Sequence, residues 1–151
     1  MRALAEAEPG ARPAPTPAPL GSHLAVIAAP ACATVQDRGR AGQLGRGLPP
    51  SGPLDPEAFE SANAAVGNDL GEAALEIPLG SLEVEARGRA VVSIDGEPPI
   101  ALADGERLRL AAGDSAVHYL AVRGGIDAPL VLGSRSTLLV AKIGGHLGRP
   151  L

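Results

Sequence analysis

Short alternating runs of apolar and charged residues, separated by glycine and proline, restrict the fold of this chain more than any other feature. In LEVEAR (82–87) apolar residues alternate with glutamate, and in RLRL (107–110) leucine alternates with arginine. A period of two is typical of strands with one buried and one solvated face. Two further apolar runs end at Asp95-Gly96 and Gly124-Gly125, which favour turns. Many short strands joined by turns predict a mainly β protein, a barrel or a sandwich.

One segment has the signature of a helix, near residues 56–66. Asp55 is a suitable N-cap and Pro56 a suitable first helical residue, apolar residues follow at helical spacing, and Gly67 supplies a C-terminal stop. Asn63 shares the apolar face of this helix, so its amide requires a hydrogen-bonding partner.

Composition excludes several classes of function. The 151 residues suit one domain, and with one Phe, one Tyr and no Trp the core must consist of Ala, Val, Leu and Ile. The scarcity of aromatic rings and the net charge of -4 exclude a nucleic-acid partner. Cys32 is the only cysteine and the three histidines are far apart in the sequence, so neither a disulfide nor a metal site is predicted.

The N-terminal region differs in composition from the rest of the chain. Residues 1–22 are rich in Ala, Pro and Glu and are predicted to be a disordered tail, which leaves residues 23–151 as the globular part. The stretch LAVIAAPACA ends like a secretory cleavage site, but Glu6, Glu8 and several prolines precede it, and it is too short to span a bilayer. We interpret it as the first strand and expect a cytoplasmic protein without a membrane partner.

The stretch TVQDRGR (34–40) is the first candidate site. Gln36 offers both a donor and an acceptor, Asp37 an acceptor or a base, and Arg38 and Arg40 planar sets of donors. The alternative is a surface turn in which Asp37 pairs with an arginine.

Three other polar segments are candidates. SGPLD (51–55) combines a serine with the helix cap, and Glu76 interrupts an apolar strand, where it points either to solvent or inward towards a partner. GSRST (133–137) places hydroxyls around a guanidinium, and its backbone N–H groups are able to form an anion nest. The alternative for GSRST is a polar turn between predicted strands Leu130–Leu132 and Leu138–Ile143. No P-loop, HExxH or GxSxG motif is present.

The ordered set of segments resembles one protein family over residues 24–151. The chain is similar to the biotin-dependent carboxyltransferase subdomain family in the following segments, taken in order: TVQDRGR, SGPLD, AN with VGN, ALEIPLG, YLAVRGGID, LGSRST and GGHLGRPL. This family includes the C subunit of 5-oxoprolinase, KipA, and the domain of urea carboxylase once labelled allophanate hydrolase subunit 2. The resemblance implies a cyclophilin-like β-barrel.

The resemblance also implies a function. In 5-oxoprolinase, the A, B and C subunits together use ATP to open the lactam of 5-oxoproline to glutamate, so ATP would be bound through the complex. The implied partners are the A subunit of such an enzyme and its B subunit or a KipI-like protein, and the implied substrate is a small amide. The motif-matching residues expected at the site are Gln36, Asp37, Arg40 and Glu76 as catalytic groups, and Ser51, Gly52, Asp55, Asn63, Ser134, Arg135 and Ser136 as substrate-binding groups.

Three alternatives to a 5-oxoprolinase-like hydrolase subunit stay open. The first is biotin-dependent carboxyl transfer, the second a KipA-like regulatory binding module, and the third an inactive fragment. The sequence departs from the family pattern in three places: Gln43 follows Gly42 where an aromatic is usual, the region 94–116 is short, and family members continue for about as long again beyond Leu151. We therefore expect the N-terminal part of a carboxyltransferase domain, with open sheet edges.

Overall fold

The computed structural model describes residues 22–113 and 115–151, so the predicted tail lies, apart from Ser22, outside the described residues. The strands are β1 (His23–Ala28), β2 (Thr34–Gln36), β3 (Ala74–Pro78), β4 (Leu82–Arg87), β5 (Ala90–Ile94), β6 (Ile100–Leu102), β7 (Arg107–Leu110) and β8 (Val117–Val122). The helix α1 spans Pro56–Val66, and short 3-10 helices span Leu44–Arg46 and Leu139–Ala141.

Two antiparallel sheets form the body of the protein. The smaller sheet has the order β1-β4-β7 and the larger one the order β2-β3-β8-β5-β6. Charged residues of β4 and β7 pair on the solvated face of the smaller sheet, where Glu83 lies opposite Arg109 and Glu85 opposite Arg107. The predicted mainly β fold is therefore confirmed, and LEVEAR forms strand β4. The predicted solvated face is only partly exposed, since Glu85 is buried beneath its ion pairs with Arg87 and Arg107.

Aliphatic side chains from both sheets form the main core. Leu82, Val84 and Ala86 of β4 pack against Leu75 and Leu120 of the larger sheet. These side chains are buried because removing apolar surface from water is favourable. The chain has few aromatic rings, so branched aliphatic residues and alanine make up this core.

Helix α1 covers the other face of the larger sheet. Asp55 caps it by accepting hydrogen bonds from the backbone N–H groups of Glu57 and Ala58, and Gly67 ends it with a left-handed φ of 79°. Phe59 meets Tyr119 edge to face, with ring centroids 5.7 Å apart and planes at 77°. The prediction of one helix over residues 56–66 is confirmed.

The predicted strands Leu130–Leu132 and Leu138–Ile143 are wrong. This part of the chain forms only single bridges, Val131 to Ser134 and Leu138 to Ile143, and the 3-10 helix. Leu132 and Lys142 have positive φ values of 54° and 53°, which turn the backbone out of the extended conformation that a strand requires. No helix among the described residues is long and apolar enough to cross a membrane.

Candidate functional site

Three of the four polar segments converge at one place, which we call the polar junction: residues 34–40, 50–55 and 131–137. The backbone N–H of Thr137 donates to the Val35 carbonyl at 2.8 Å, so the third segment runs beside β2. The backbone N–H of Arg40 donates to the Pro50 carbonyl at 2.5 Å, which joins the second segment to the first. These contacts bring together stretches that are distant in the sequence.

The Asp37 carboxylate occupies the anion nest predicted in GSRST. Its Oδ1 accepts from the Ser134 and Ser136 hydroxyls at 2.5 and 2.6 Å and from the Gly39 N–H at 2.8 Å. Its Oδ2 accepts from the Arg135 backbone N–H at 2.5 Å. The nest therefore binds a carboxylate of the same chain.

This geometry stabilises the charged form of Asp37. Burial disfavours ionisation, but the hydroxyls of Ser134 and Ser136 and the two backbone N–H groups outweigh it. The pKa of this carboxyl consequently lies below its ordinary value. Asp37 is thus held as an anion, which suits a residue that fixes a loop more than one that takes up a proton.

Arg40 fixes the same loop from the other side. Its side chain is 1% exposed, Nε donates to the Val131 carbonyl at 3.1 Å, and Nη2 donates to the Ser136 carbonyl. Nη1 is buried and has no hydrogen-bond partner among the described residues. Burial lowers the pKa of Arg40, and the nearby charge of Asp37 opposes that effect. Gly144 packs so closely here that a Cβ would overlap the Ser136 carbonyl oxygen.

Gln36 and Ser51 fasten the second segment. The Gln36 amide donates to the Thr34 hydroxyl at 2.9 Å and to the Thr137 carbonyl at 3.2 Å, and it accepts from the Gly52 N–H at 3.3 Å. The Ser51 hydroxyl donates to the Thr137 carbonyl at 2.7 Å. Because that bond uses the hydroxyl hydrogen, the half-buried Ser51 oxygen presents lone pairs to any further partner.

Glu76 points inward and holds the start of helix α1. Its Oε2 accepts from the Leu54 N–H at 2.8 Å and from the Tyr119 hydroxyl at 2.7 Å. The Tyr119 oxygen in turn accepts from the Asp55 N–H at 2.9 Å. Burial, reinforced by the hydrogen bond and the charge of Glu76, raises the pKa of Tyr119 well above its usual value. Tyr119 therefore acts as a hydroxyl donor that links sheet and helix.

Asn63 takes part in a separate network. Its amide donates to the Glu72 carbonyl at 2.8 Å and accepts from the Asn68 amide at 3.0 Å, and Asn68 donates to the Val122 carbonyl at 2.8 Å. The predicted partner for this buried amide exists, but its contacts lie outside the polar junction.

Of the three arginines in the junction, Arg38 is exposed and lies near Glu60 and Asp69, Arg40 is buried, and Arg135 leaves donors unused. The Arg135 side chain is half-buried, and Nη1 donates to the Ala128 carbonyl. A guanidinium carries five N–H donors, so the remaining ones have no partner within the described ranges. They are available to an amide carbonyl or a carboxylate.

Ten of the eleven predicted site residues lie at the polar junction or bind it directly, Asn63 being the exception. Sequence reasoning missed four residues that complete it: Thr34, Thr137, Tyr119 and Gly144. Thr137 and Gly144 are part of the quoted LGSRST and GGHLGRPL segments, but only their long-range contacts reveal what they do.

Comparison with known proteins agrees with this architecture. A family model described as carboxyltransferase domain, subdomain A and B, matches residues 46–151. Over 143 residues the chain is 41% identical to the 5-oxoprolinase C subunit of Escherichia coli, covering 85% of this chain and 46% of that protein. It is 38% identical over 136 residues to the urea amidolyase of Lachancea kluyveri, covering 78% of this chain and 7% of that protein.

Solved structures show the same fold. The urea carboxylase of Kluyveromyces lactis superposes with a TM-score of 0.82 at 36% identity, covering 85% of this chain and 13% of that chain. The predicted cyclophilin-like β architecture is confirmed by this similarity. The chain spans less than half the length of each of these three relatives.

Proposed function

Since this chain belongs to the family of carboxyltransferase domains, subdomains A and B, we propose that it is a subunit of an ATP-dependent, 5-oxoprolinase-like amidohydrolase. In this proposal it acts only in complex with the A and B subunits, and the complex opens the lactam of 5-oxoproline to glutamate. The observation that carries the proposal is the 41% identity to the C subunit of a 5-oxoprolinase over 85% of the chain.

Phosphates of ATP do not fit the two anion-binding features of the polar junction. The nest of GSRST is filled by Asp37, and the N-terminus of helix α1 is capped by Asp55. Binding of ATP is therefore assigned to the other subunits, and no step is derived through it on this chain.

The polar junction contributes hydrogen-bonding groups for the lactam. Hydrolytic opening of the ring adds water to the carbonyl carbon, so negative charge develops on the carbonyl oxygen. The bond between that carbon and the nitrogen then breaks, and the nitrogen takes up a proton from the added water to become the amine of glutamate. The unused N–H groups of Arg135 are suitable donors to this oxygen. The Ser51 oxygen, whose hydrogen is engaged with Thr137, is a suitable acceptor for the lactam N–H.

Three of the predicted catalytic residues, Gln36, Asp37 and Arg40, act through these two substrate-binding residues in this proposal, whereas Glu76 holds the start of helix α1. Asp37 and Arg40 hold the backbone on both sides of Arg135, and Gln36 holds the backbone of Gly52 beside Ser51. They are positioning residues in this proposal, because each of them is bound to the backbone that carries Arg135 or Ser51.

The experiment combines the purified chain with the A and B subunits of a 5-oxoprolinase and measures glutamate released from 5-oxoproline. We expect release to require both ATP and this chain. Arg135→Gln should reduce kcat by about 10²–10³, the size of effect expected for loss of an oxyanion donor. The matched control is Arg89→Gln, an exposed arginine between β4 and β5, which should keep the wild-type rate.

Failure to form a complex, or absence of glutamate in every combination, would refute the proposal. A complex that forms without any turnover would instead identify a regulatory binding module.

Biotin-dependent carboxyl transfer is the second candidate, favoured by the description of the family model and by the similarity to urea carboxylase. Biotin presents a neutral ureido group, and the Gln36 amide that would suit it already uses both N–H donors and one acceptor site of its oxygen within the chain. No step through biotin is therefore derived. Inhibition of the reconstituted reaction by avidin would favour this candidate over the hydrolase.

A further inference from the structure

Residues 128–151 differ in charge from the rest of the sequence. All 17 acidic residues lie before position 128, whereas residues 128–151 contain Arg135, Lys142 and Arg149 and no Asp or Glu. The net charge of the whole chain is -4, so a positively charged segment belongs to a protein that is otherwise acidic.

Two turns of this segment carry a set of exposed side chains that we call the C-terminal face: Leu139, Val140, Lys142, Leu147 and Arg149. The Leu138 N–H donates to the Ile143 carbonyl at 2.9 Å and closes the first turn, and the Gly148 N–H donates to the Gly144 carbonyl at 2.7 Å and closes the second. The two turns lie against each other, because a Cβ on Gly148 would overlap the Lys142 carbonyl.

The apolar members of the C-terminal face are unusually exposed for large side chains. Val140 is 86% exposed, Leu147 75% and Leu139 40%, and all three occur within nine residues. The loop that carries them is fixed, since the Gly145 N–H donates to the Arg135 carbonyl at 2.8 Å. A cluster of exposed apolar side chains on a fixed backbone is typical of a surface that another molecule covers.

The cationic members of the face have no carboxylate partner. Lys142 and Arg149 are exposed and form no ion pair in the part of the chain that the structure describes, and Arg149 Nη2 only approaches His146 Nε2, at 3.4 Å. By contrast, Arg107 and Arg109 pair with glutamates of β4. The C-terminal face therefore offers two cations beside apolar side chains.

This combination fits a protein partner. Nucleic acid and anionic membranes require many cations, and the acidic remainder of the chain repels a polyanion. A second copy docked about a two-fold axis would bring Lys142 and Arg149 of one copy against the same cations of the other. A partner with a few carboxylates around an apolar pocket satisfies both kinds of side chain.

We propose that the C-terminal face docks on a partner subunit that presents carboxylates around an apolar pocket. The inference rests on the proposed function, which supplies the partner subunits. Val140 and Leu147 enter the pocket, and Lys142 and Arg149 pair with its carboxylates. Because Arg135 belongs to the polar junction and its carbonyl holds Gly145, docking places the partner close to the candidate site.

The test measures the dissociation constant of the full chain for the A and B subunits of a 5-oxoprolinase, at low and at high salt. Val140→Asp removes an apolar contact and adds a carboxylate where the partner already has carboxylates, so Kd should rise at least about tenfold. Lys142→Glu reverses a charge and should raise Kd at low salt at least about tenfold, with a smaller effect at high salt.

The matched controls make the same kinds of change elsewhere on the surface. Leu79→Asp alters a side chain that is 82% exposed on the turn between β3 and β4, and Arg89→Glu reverses an exposed charge between β4 and β5. Both should keep Kd within about twofold of the wild-type value.

A wild-type Kd in both Val140→Asp and Lys142→Glu, in a complex that forms, would overturn this proposal and leave the proposed function intact. A wild-type chain that binds neither subunit would refute the proposed function and this inference with it. Self-association of the chain that Val140→Asp abolishes would assign the face to a second copy, and binding to anionic phospholipid vesicles that Lys142→Glu abolishes would assign it to a membrane. Either result would overturn the proposal.

Discussion

Replacement of Asp37 by asparagine tests whether this carboxylate joins the segments of the polar junction. The substitution keeps the size of the side chain but turns one acceptor oxygen into an NH2 donor. Three of the donors, from Ser134, Ser136 and Gly39, converge on Oδ1, and the fourth, the Arg135 N–H, meets Oδ2 at 2.5 Å. In Asp37→Asn at least one donor must therefore face another donor.

The magnitude follows from these contacts. A buried donor left without an acceptor costs about 1–3 kcal/mol, and the remaining bonds lose the strength that the negative charge gives them. The neutral amide of the introduced asparagine does not carry the cost of burying a charge, which offsets part of this loss of stability. We expect the free energy of unfolding at pH 7 to fall by about 2–4 kcal/mol.

The assay is urea unfolding of Asp37→Asn and of the wild type, with the slope m checked for constancy. Asp127→Asn is the matched control, because Asp127 is exposed and should change stability by less than about 0.5 kcal/mol. The pKa of Asp37 is lowered in the folded state, so its contribution is complete above the unfolded value of 3.8. That contribution is lost as the pH falls through the folded pKa.

The difference in unfolding free energy between wild type and Asp37→Asn should therefore become smaller as the pH is lowered below about 4. A difference in unfolding free energy under about 0.5 kcal/mol at pH 7 would refute the assignment of Asp37 to the nest. So would a difference that does not change when the pH is lowered.

Three further substitutions test other parts of the scaffold. Tyr119→Phe removes the hydroxyl between Glu76 and the Asp55 N–H and should lower the unfolding free energy by about 1–3 kcal/mol in urea titrations; an unchanged value would contradict that link. Asp55→Ala should lower the unfolding free energy by about 1 kcal/mol in the same assay because the helix cap is lost, whereas Asp55→Asn should keep most of the stability that the cap provides. Gly144→Ala should lower the melting temperature because φ is 71° and a Cβ would overlap the Ser136 carbonyl; a wild-type melting temperature would show that the loop has room to shift.

Local features of the fold were predictable because their causes lie in neighbouring residues. Asp55, Pro56 and Gly67 determine the bounds of helix α1 by capping and by backbone preference, which act within one turn. The alternation in LEVEAR is likewise a local consequence of strand geometry.

The role of Asp37 was not predictable for the opposite reason. Its partners in GSRST lie 97 to 99 residues away, and nothing near Asp37 specifies that a distant loop will enclose it. GSRST alone indicates an anion nest but leaves the identity of the anion open. The direction of Glu76 depends in the same way on Tyr119, which the pairing of β3 with β8 places opposite it.

The wrong prediction of a strand at residues 138–143 has a third cause. The run LLVAKI has the composition of a strand, but the left-handed backbone at Lys142 returns the chain on itself to form the bridge from Leu138 to Ile143. Position 142 is not a glycine, so its sequence gives no indication of that conformation.

The measurement that tests the proposed function most directly is a titration of this chain into fixed amounts of the 5-oxoprolinase A and B subunits with ATP and 5-oxoproline. The rate of glutamate release should be near zero without the chain, rise in proportion to it, and saturate when the chain is equimolar with the other two subunits. A rate independent of the added chain, or no release at saturation, would contradict the assignment of this protein to a 5-oxoprolinase-like hydrolase.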